Sequence, residues 1–172
     1  LNHAWVYGTQ TAVNDGDQLG LFVYANTIEY SDLYTWFDET TYKTDVNAEN
    51  SFTVNGLSVM NSGPDSPVTA APANATVTVY DENGNVAEAL GTKTDEHGQF
   101  KVTFPKDGKY TIEVSGTCTY TCSGYGGSGM NTYKDATVVP TRCTVLVGTA
   151  RGTLGDINGD GVIDLTDAAQ LL

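Results

Sequence analysis

Positive charge is scarce in this chain. Eight of its 172 residues are Lys or Arg and 21 are Asp or Glu, which gives a formal net charge of -13 at pH 7. Nucleic acids and anionic membranes are bound through basic patches, so this composition argues against both as partners. Long apolar runs are also missing. Because a spanning helix needs about 18 or more consecutive apolar residues, we predict no membrane span.

Motifs of catalysis are missing as well. The two histidines, His3 and His97, lie outside any metal-ligand spacing of the HExxH type, and no Gly-x-Ser-x-Gly nucleophile elbow occurs. The acidic clusters fall in segments that form turns, which gives them a structural explanation. We therefore predict that the chain is not an enzyme.

Cysteine is rare, and its odd number leaves one thiol over. A bridge from Cys118 to Cys122 needs a turn between them, because four residues of strand span roughly 13 Å. The intervening residues favour strand instead. We favour a cross-strand bridge from Cys118 or Cys122 to Cys143, and the alternative is three reduced, buried thiols.

Short apolar or alternating segments make up most of the chain, with turn signals between them. Asn14-Asp15-Gly16-Asp17, Asp81-Glu82-Asn83-Gly84 and Asp95-Glu96-His97-Gly98 are examples of those turns. Many short strands at spacings near ten residues are typical of an antiparallel β-sandwich. The predicted strands are Ala4–Tyr7, Leu19–Ala25, Leu33–Phe37, Ser51–Met60, Ala75–Tyr80, Gln99–Phe104, Lys109–Val114, Ala136–Val139 and Arg142–Val147.

The segment 66–147 carries the clearest sandwich pattern. Val77 and Val79 share one face of a strand, as do Phe100, Val102 and Phe104. This pattern resembles the bacterial Ig-like and prealbumin-like modules of surface proteins. The resemblance implies an all-β, antiparallel Ig-like or prealbumin-like β-sandwich at an extracellular or bacterial cell-surface location.

Three prolines in 61–73 mark a candidate boundary inside this body. A first half of about 60 residues would have a marginal core, so we favour one composite domain over 1–147. Residues 148–154 then form a linker to a C-terminal segment, 155–172.

The C-terminal segment has the donor spacing of an EF-hand calcium loop with Gly161 at position 6, where the backbone turns sharply. Four crowded carboxylates would repel one another without a cation. We predict one Ca²⁺, bound by Asp156, Asn158, Asp160, the Val162 carbonyl, Asp164 and Asp167.

Two departures from the general EF-hand narrow the comparison. Position 12 is Asp167 instead of Glu, and the residues before the loop give no entering helix. The segment Gly155 to Leu172 resembles the first repeat of a type I dockerin. The resemblance implies a cohesin-bearing scaffold protein as partner, with Leu165 and Thr166 in the cohesin-facing positions. Dockerins have two such repeats, so we expect this single repeat to bind cohesin weakly or not at all.

One aromatic segment suggests a ligand surface. If Leu33 and Phe37 of a strand point into the core, Tyr34 and Trp36 point outward, and Asp32 and Asp38 flank them. Rings stack on sugars and carboxylates accept hydroxyl hydrogen bonds. The alternative is that these rings belong to the core or lie under a neighbouring loop.

Two functions are consistent with these patterns. The first hypothesis is a non-catalytic, secreted bacterial surface or cellulosome-type module, attached to a scaffold through its calcium-binding tail. The second is a carbohydrate-binding module for polysaccharide that uses the aromatic segment 30–42.

Overall fold

The computed structural model describes residue 3 and the ranges 12–63 and 66–148, and these form two β-sheets. The predicted strand Ala4–Tyr7, the linker after Gly148 and the calcium loop lie outside the described residues. The strands are β1 Leu33–Phe37, β2 Thr41–Thr44, β3 Glu49–Ser58, β4 Thr69–Ala70, β5 Thr76–Tyr80, β6 Thr92–Lys93, β7 Gln99–Thr103, β8 Gly108–Ser115, β9 Thr117–Ser123, β10 Met130–Val139 and β11 Thr141–Val147.

The two sheets confirm the predicted all-β fold. Sheet 1 has the order β4-β3-β1-β10-β9, with β7 pairing along the first half of β3. Sheet 2 has the order β2-β11-β8-β5-β6. Strands with alternating apolar residues bury one face each, so the core lies between the sheets. Its members include Leu33, Phe52, Val77, Val79, Phe100, Val102, Phe104, Ile112, Val138 and Val145.

The predicted antiparallel arrangement holds except at two pairings. Strand β1 pairs with β10 in parallel, and β2 pairs with β11 in parallel. The two chain segments 33–44 and 138–147 therefore run side by side and cross from sheet 1 to sheet 2 together. Pro140 lies at this crossing and has no backbone N–H for a ladder. The hydroxyl of buried Thr35 donates a hydrogen bond of 2.7 Å to the Val139 carbonyl there.

The prediction of a strand at Leu19–Ala25 is wrong. This segment joins no sheet, and Leu19, Leu21 and Val23 are exposed, Leu21 to 96%. The alternation is nevertheless real, because the intervening Phe22 and Tyr24 contact other aromatic rings. Strands β2, β4, β6 and β9 are not among the predicted strands. Three of these have four residues or fewer, which is too short to show a period.

Strands on the two sides of segment 61–73 are neighbours in both sheets. Strand β1 pairs with β10, β2 with β11, and β3 with β7. The first and second halves of the described chain therefore share one core.

Candidate functional site

The outer face of β1 carries the aromatic residues that the sequence singles out. Leu33, Thr35 and Phe37 are buried, whereas Tyr34 and Trp36 are half-buried and point away from the core. The predicted alternation of β1 is therefore confirmed. The Tyr34 and Trp36 ring centroids lie 5.9 Å apart.

Other rings of the chain cover this pair. The His3 ring stacks on the Trp36 ring with 4.6 Å between centroids and a 4° interplanar angle. Phe22 stacks on Tyr34 with centroids 5.8 Å apart, and Tyr24 continues the contact from Phe22. Burial raises the pKa of the Tyr34 hydroxyl. The ring faces that a sugar would need are thus in use within the protein, and they hold segment 20–24 against sheet 1.

The two flanking carboxylates also have structural partners. Asp32 is 1% exposed, and its side chain accepts hydrogen bonds from the backbone amides of Ala25 and Asn26. This placement leaves the Asp32 carboxylate no access to a sugar hydroxyl. Asp38 is exposed and accepts a 2.7 Å hydrogen bond from the Asn55 side-chain amide. The structure brings Tyr34 and Trp36 together on one face. The Asp32 side chain instead holds the preceding loop through hydrogen bonds to its backbone.

A buried polar cluster that the sequence did not reveal lies at the β9–β10 end of sheet 1. The Asn61 amide donates to the Ser58 hydroxyl at 2.8 Å and to the Tyr133 hydroxyl at 3.0 Å. The Tyr120 hydroxyl donates to the Ser31 carbonyl at 2.9 Å, and burial raises its pKa. These residues are up to about 100 positions apart in sequence, so no local pattern marks them. Their hydrogen bonds join the segment before β1, the end of β3, β9 and β10 in one polar network.

The prediction of a disulfide is wrong in this structure. Cys118, Cys122 and Cys143 are free and buried. Cys118 and Cys122 face inward from β9 of sheet 1, and Cys143 faces inward from β11 of sheet 2. Packed sheets lie about 10 Å apart, so two cysteines bridge them only when directly opposed. Burial raises the pKa of Cys118 and of Cys143 to about 12, and it raises the pKa of Cys122. All three therefore behave as small apolar side chains.

The predicted calcium ligands and the cohesin-facing Leu165 and Thr166 lie beyond the described range. Within that range, no group of three or more His, Cys, Asp or Glu side chains is arranged to hold a metal ion. No helix of the described residues is long and apolar enough to cross a membrane.

Comparison with known proteins gives little. No protein-family model matches the sequence, and no curated protein matches it. Among solved structures, the chain is similar to one described as the crystal structure of Dscam1 isoform 7.44, N-terminal four Ig domains, with 12% identity and a TM-score of 0.30. The match covers 67% of this chain and 21% of that one. With so low a TM-score, the description of this molecule as a two-sheet sandwich rests on its own strand order and pairing.

Proposed function

We propose that this chain is a non-catalytic extracellular attachment module. In this proposal an Ig-like β-sandwich carries a dockerin-like segment, Gly155 to Leu172, which binds Ca²⁺. Together with a second repeat of the same kind, this segment would attach the protein to a cohesin-bearing scaffold. The observation that carries the proposal is the spacing of oxygen donors from Asp156 to Asp167, with Gly161 at the turn position.

The strand order of the described residues supports a sandwich that is separate from the C-terminal calcium-binding segment. The last described strand of sheet 2, β11, ends at Val147, shortly before the loop begins in the sequence. Because the loop follows the last described core strand, a partner that binds the loop need not disturb the packing of the described strands.

Calcium titration tests the proposal. We expect the chain to bind one Ca²⁺ per molecule in isothermal titration calorimetry. Asp160→Ala removes a central carboxylate ligand, and we expect it to weaken the affinity by about 100-fold or more, since affinity follows the charge of the ligand set.

Asp15→Ala is the matched control, because Asp15 is an exposed turn carboxylate far from the loop in sequence. It should leave the titration unchanged. Calcium uptake that is absent from the unmodified chain, or that survives intact in Asp160→Ala, would contradict the proposal.

A further inference from the structure

The outer face of sheet 2 collects much of the scarce positive charge of the protein. Lys43 of β2, Lys93 of β6, Lys109 of β8 and Arg142 of β11 are all exposed, and together they make up four of the eight Lys and Arg residues of the chain. Side chains alternate between the two faces along a strand, and each of these four residues is next to one that points into the core. All four therefore project from the outer face of the sheet. This surface is the basic face.

The strand register sets the spacing of the charges. Leu146 of β11 pairs with Lys43 on one side and with Lys109 on the other, so these three residues form one row across the sheet. Neighbouring strands lie about 4.8 Å apart, which places the two lysines at positions about 10 Å apart. The next row consists of Thr41, Thr144, Thr111 and Tyr80.

Within the described strands of sheet 2, little negative charge offsets the basic face. Glu113 is the one acidic residue among the outward positions of the described strands of sheet 2, and it forms an ion pair with Arg142 at 2.6 Å. Lys43 and Lys109 form no ion pair with any residue that the structure describes. Within that part of the chain, their ammonium groups are available to an anion.

A shallow cavity of about 340 Å³ opens on the same face. Tyr80, Thr111, Lys109 and Arg142 contribute to its lining, and Asp81 and Glu82 line it as well. The Arg142 guanidinium lies 5.9 Å from the centroid of the Tyr80 ring. The two carboxylates restrict an anionic ligand to the side of the cavity that Lys109 and Arg142 form.

We propose that the basic face binds an anionic polysaccharide. Lys43 and Lys109 pair with successive acidic groups, and the threonine row exchanges hydrogen bonds with sugar hydroxyls. A protein partner fits less well, because the cores of protein interfaces are apolar and aromatic, whereas this face has Leu146 as its one aliphatic member in the two central rows. Non-specific binding of single-stranded nucleic acid depends on exposed stacking rings, and Tyr80, the one ring of these rows, is half-buried beneath Arg142.

The net charge of -13 does not prevent such binding at moderate salt. At an ionic strength of 0.1 M the Debye length is about 10 Å, so a polyanion on sheet 2 interacts with the nearby cations and is screened from carboxylates across the sandwich. Binding should then decrease as salt rises further, because the contacts on the basic face are themselves exposed ion pairs.

The test uses the full chain with polygalacturonate, dextran sulfate and uncharged dextran, in calorimetry at about 0.1 M salt. Polygalacturonate supplies carboxylates and dextran sulfate supplies sulfates. We expect binding to at least one polyanion and none to dextran. The double variant Lys43→Glu, Lys109→Glu should bind at least about tenfold more weakly, because two exposed ion pairs become repulsive contacts.

The matched control is the double variant Lys101→Glu, Lys134→Glu, which makes the same charge change at exposed positions of sheet 1. It should retain polyanion binding within about twofold of the unmodified chain. Repeating the titrations in a calcium chelator separates this surface from the calcium loop, because binding through the basic face should persist there.

Several titration results would overturn the proposal. They are no binding of either polyanion, equal loss in both double variants, equal binding of uncharged dextran, and tighter binding of an oligothymidylate than of either polyanion. Loss of polyanion binding in a folded Trp36→Ala variant, with retention in Lys43→Glu, Lys109→Glu, would place the ligand on sheet 1 and would also overturn it.

Discussion

At the scale of single residues, the buried carboxylate, phenol and thiol groups of the described residues have structural roles. The Asp32 carboxylate accepts a hydrogen bond from the backbone amide of Asn26 and so holds the preceding loop. The Tyr120 hydroxyl donates its hydrogen bond to the Ser31 carbonyl. The three cysteines are packed in the core. Burial disfavours a thiolate, since a charge in an apolar interior loses its hydration, and this raises the pKa of a thiol.

The cysteines give a prediction about reactivity. At pH 8 the native protein should react with a thiol reagent far more slowly than the unfolded chain, because Cys118 and Cys143 have pKa values raised to about 12 and stay protonated until the pH approaches that value. Unfolding in denaturant without reductant should release three thiols per chain, measured by absorbance.

A Val86→Cys variant provides the positive control, because Val86 is 46% exposed and its replacement should react promptly in the native state. A titre of one thiol in denaturant, where three are expected, would instead reveal a disulfide.

At the scale of elements, two turns of similar sequence, 81–84 and 95–98, differ in how closely other strands pack against them. Asp81 and Asp95 each accept hydrogen bonds from backbone amides two and four residues later, and these bonds lower the pKa of both carboxyl groups. Each turn ends on a glycine with positive φ, Gly84 at 81° and Gly98 at 72°. A Cβ on Gly84 would meet nothing within 4 Å, whereas one on Gly98 would lie 2.5 Å from the Val54 carbonyl oxygen.

This difference predicts unequal effects of two identical substitutions. Gly84→Ala should lower the free energy of unfolding by about 1–2 kcal/mol, the cost of an L-residue in the left-handed region. Gly98→Ala adds a clash with the backbone of β3 and should cost at least about 3 kcal/mol.

Urea unfolding of the two glycine variants measures the difference directly. Each variant acts as the control for the other, since the turn type and the sign of φ are shared. Equal losses would show that β3 moves away without penalty and that the close approach to Val54 does not constrain the turn.

At the scale of the whole molecule, the sandwich and the calcium loop are expected to be independent. Among the described residues, the members of the buried core lie between Leu33 and Val147, and the strands of both sheets fall within the same range. Metal binding stabilises only the structure that supplies its ligands.

Removal of calcium should therefore leave the sandwich intact. We expect the midpoint of thermal unfolding, followed by circular dichroism, to change by less than about 2 °C when a chelator is added. Re-addition of excess calcium is the control for effects of the chelator itself. A large fall in the midpoint would show that calcium is part of the sandwich, through residues such as Asp15, Asp17 or Asp38.

The sequence alone predicted the elements whose physics is local. Alternating apolar residues identified β1, β5, β7, β8 and β11 to within two residues at either end, since a strand that buries one face must show a period of two. The Asx-Gly turns were predicted for the same reason, because their hydrogen bonds join residues that are close in sequence. The donor spacing of the calcium loop is local too, and it remains a prediction.

Contacts between distant residues were decided only by the tertiary structure. Segment 19–25 alternates like a strand but lies on sheet 1 through its aromatic rings. The sequence could not show that this segment pairs with none of the described strands. The parallel pairing of 33–44 with 138–147 joins positions about 100 residues apart. Composition showed that Lys and Arg residues are few. The strand register places half of them on the outer face of sheet 2. A total charge carries no information about position, so that face could be found only once the strands were paired.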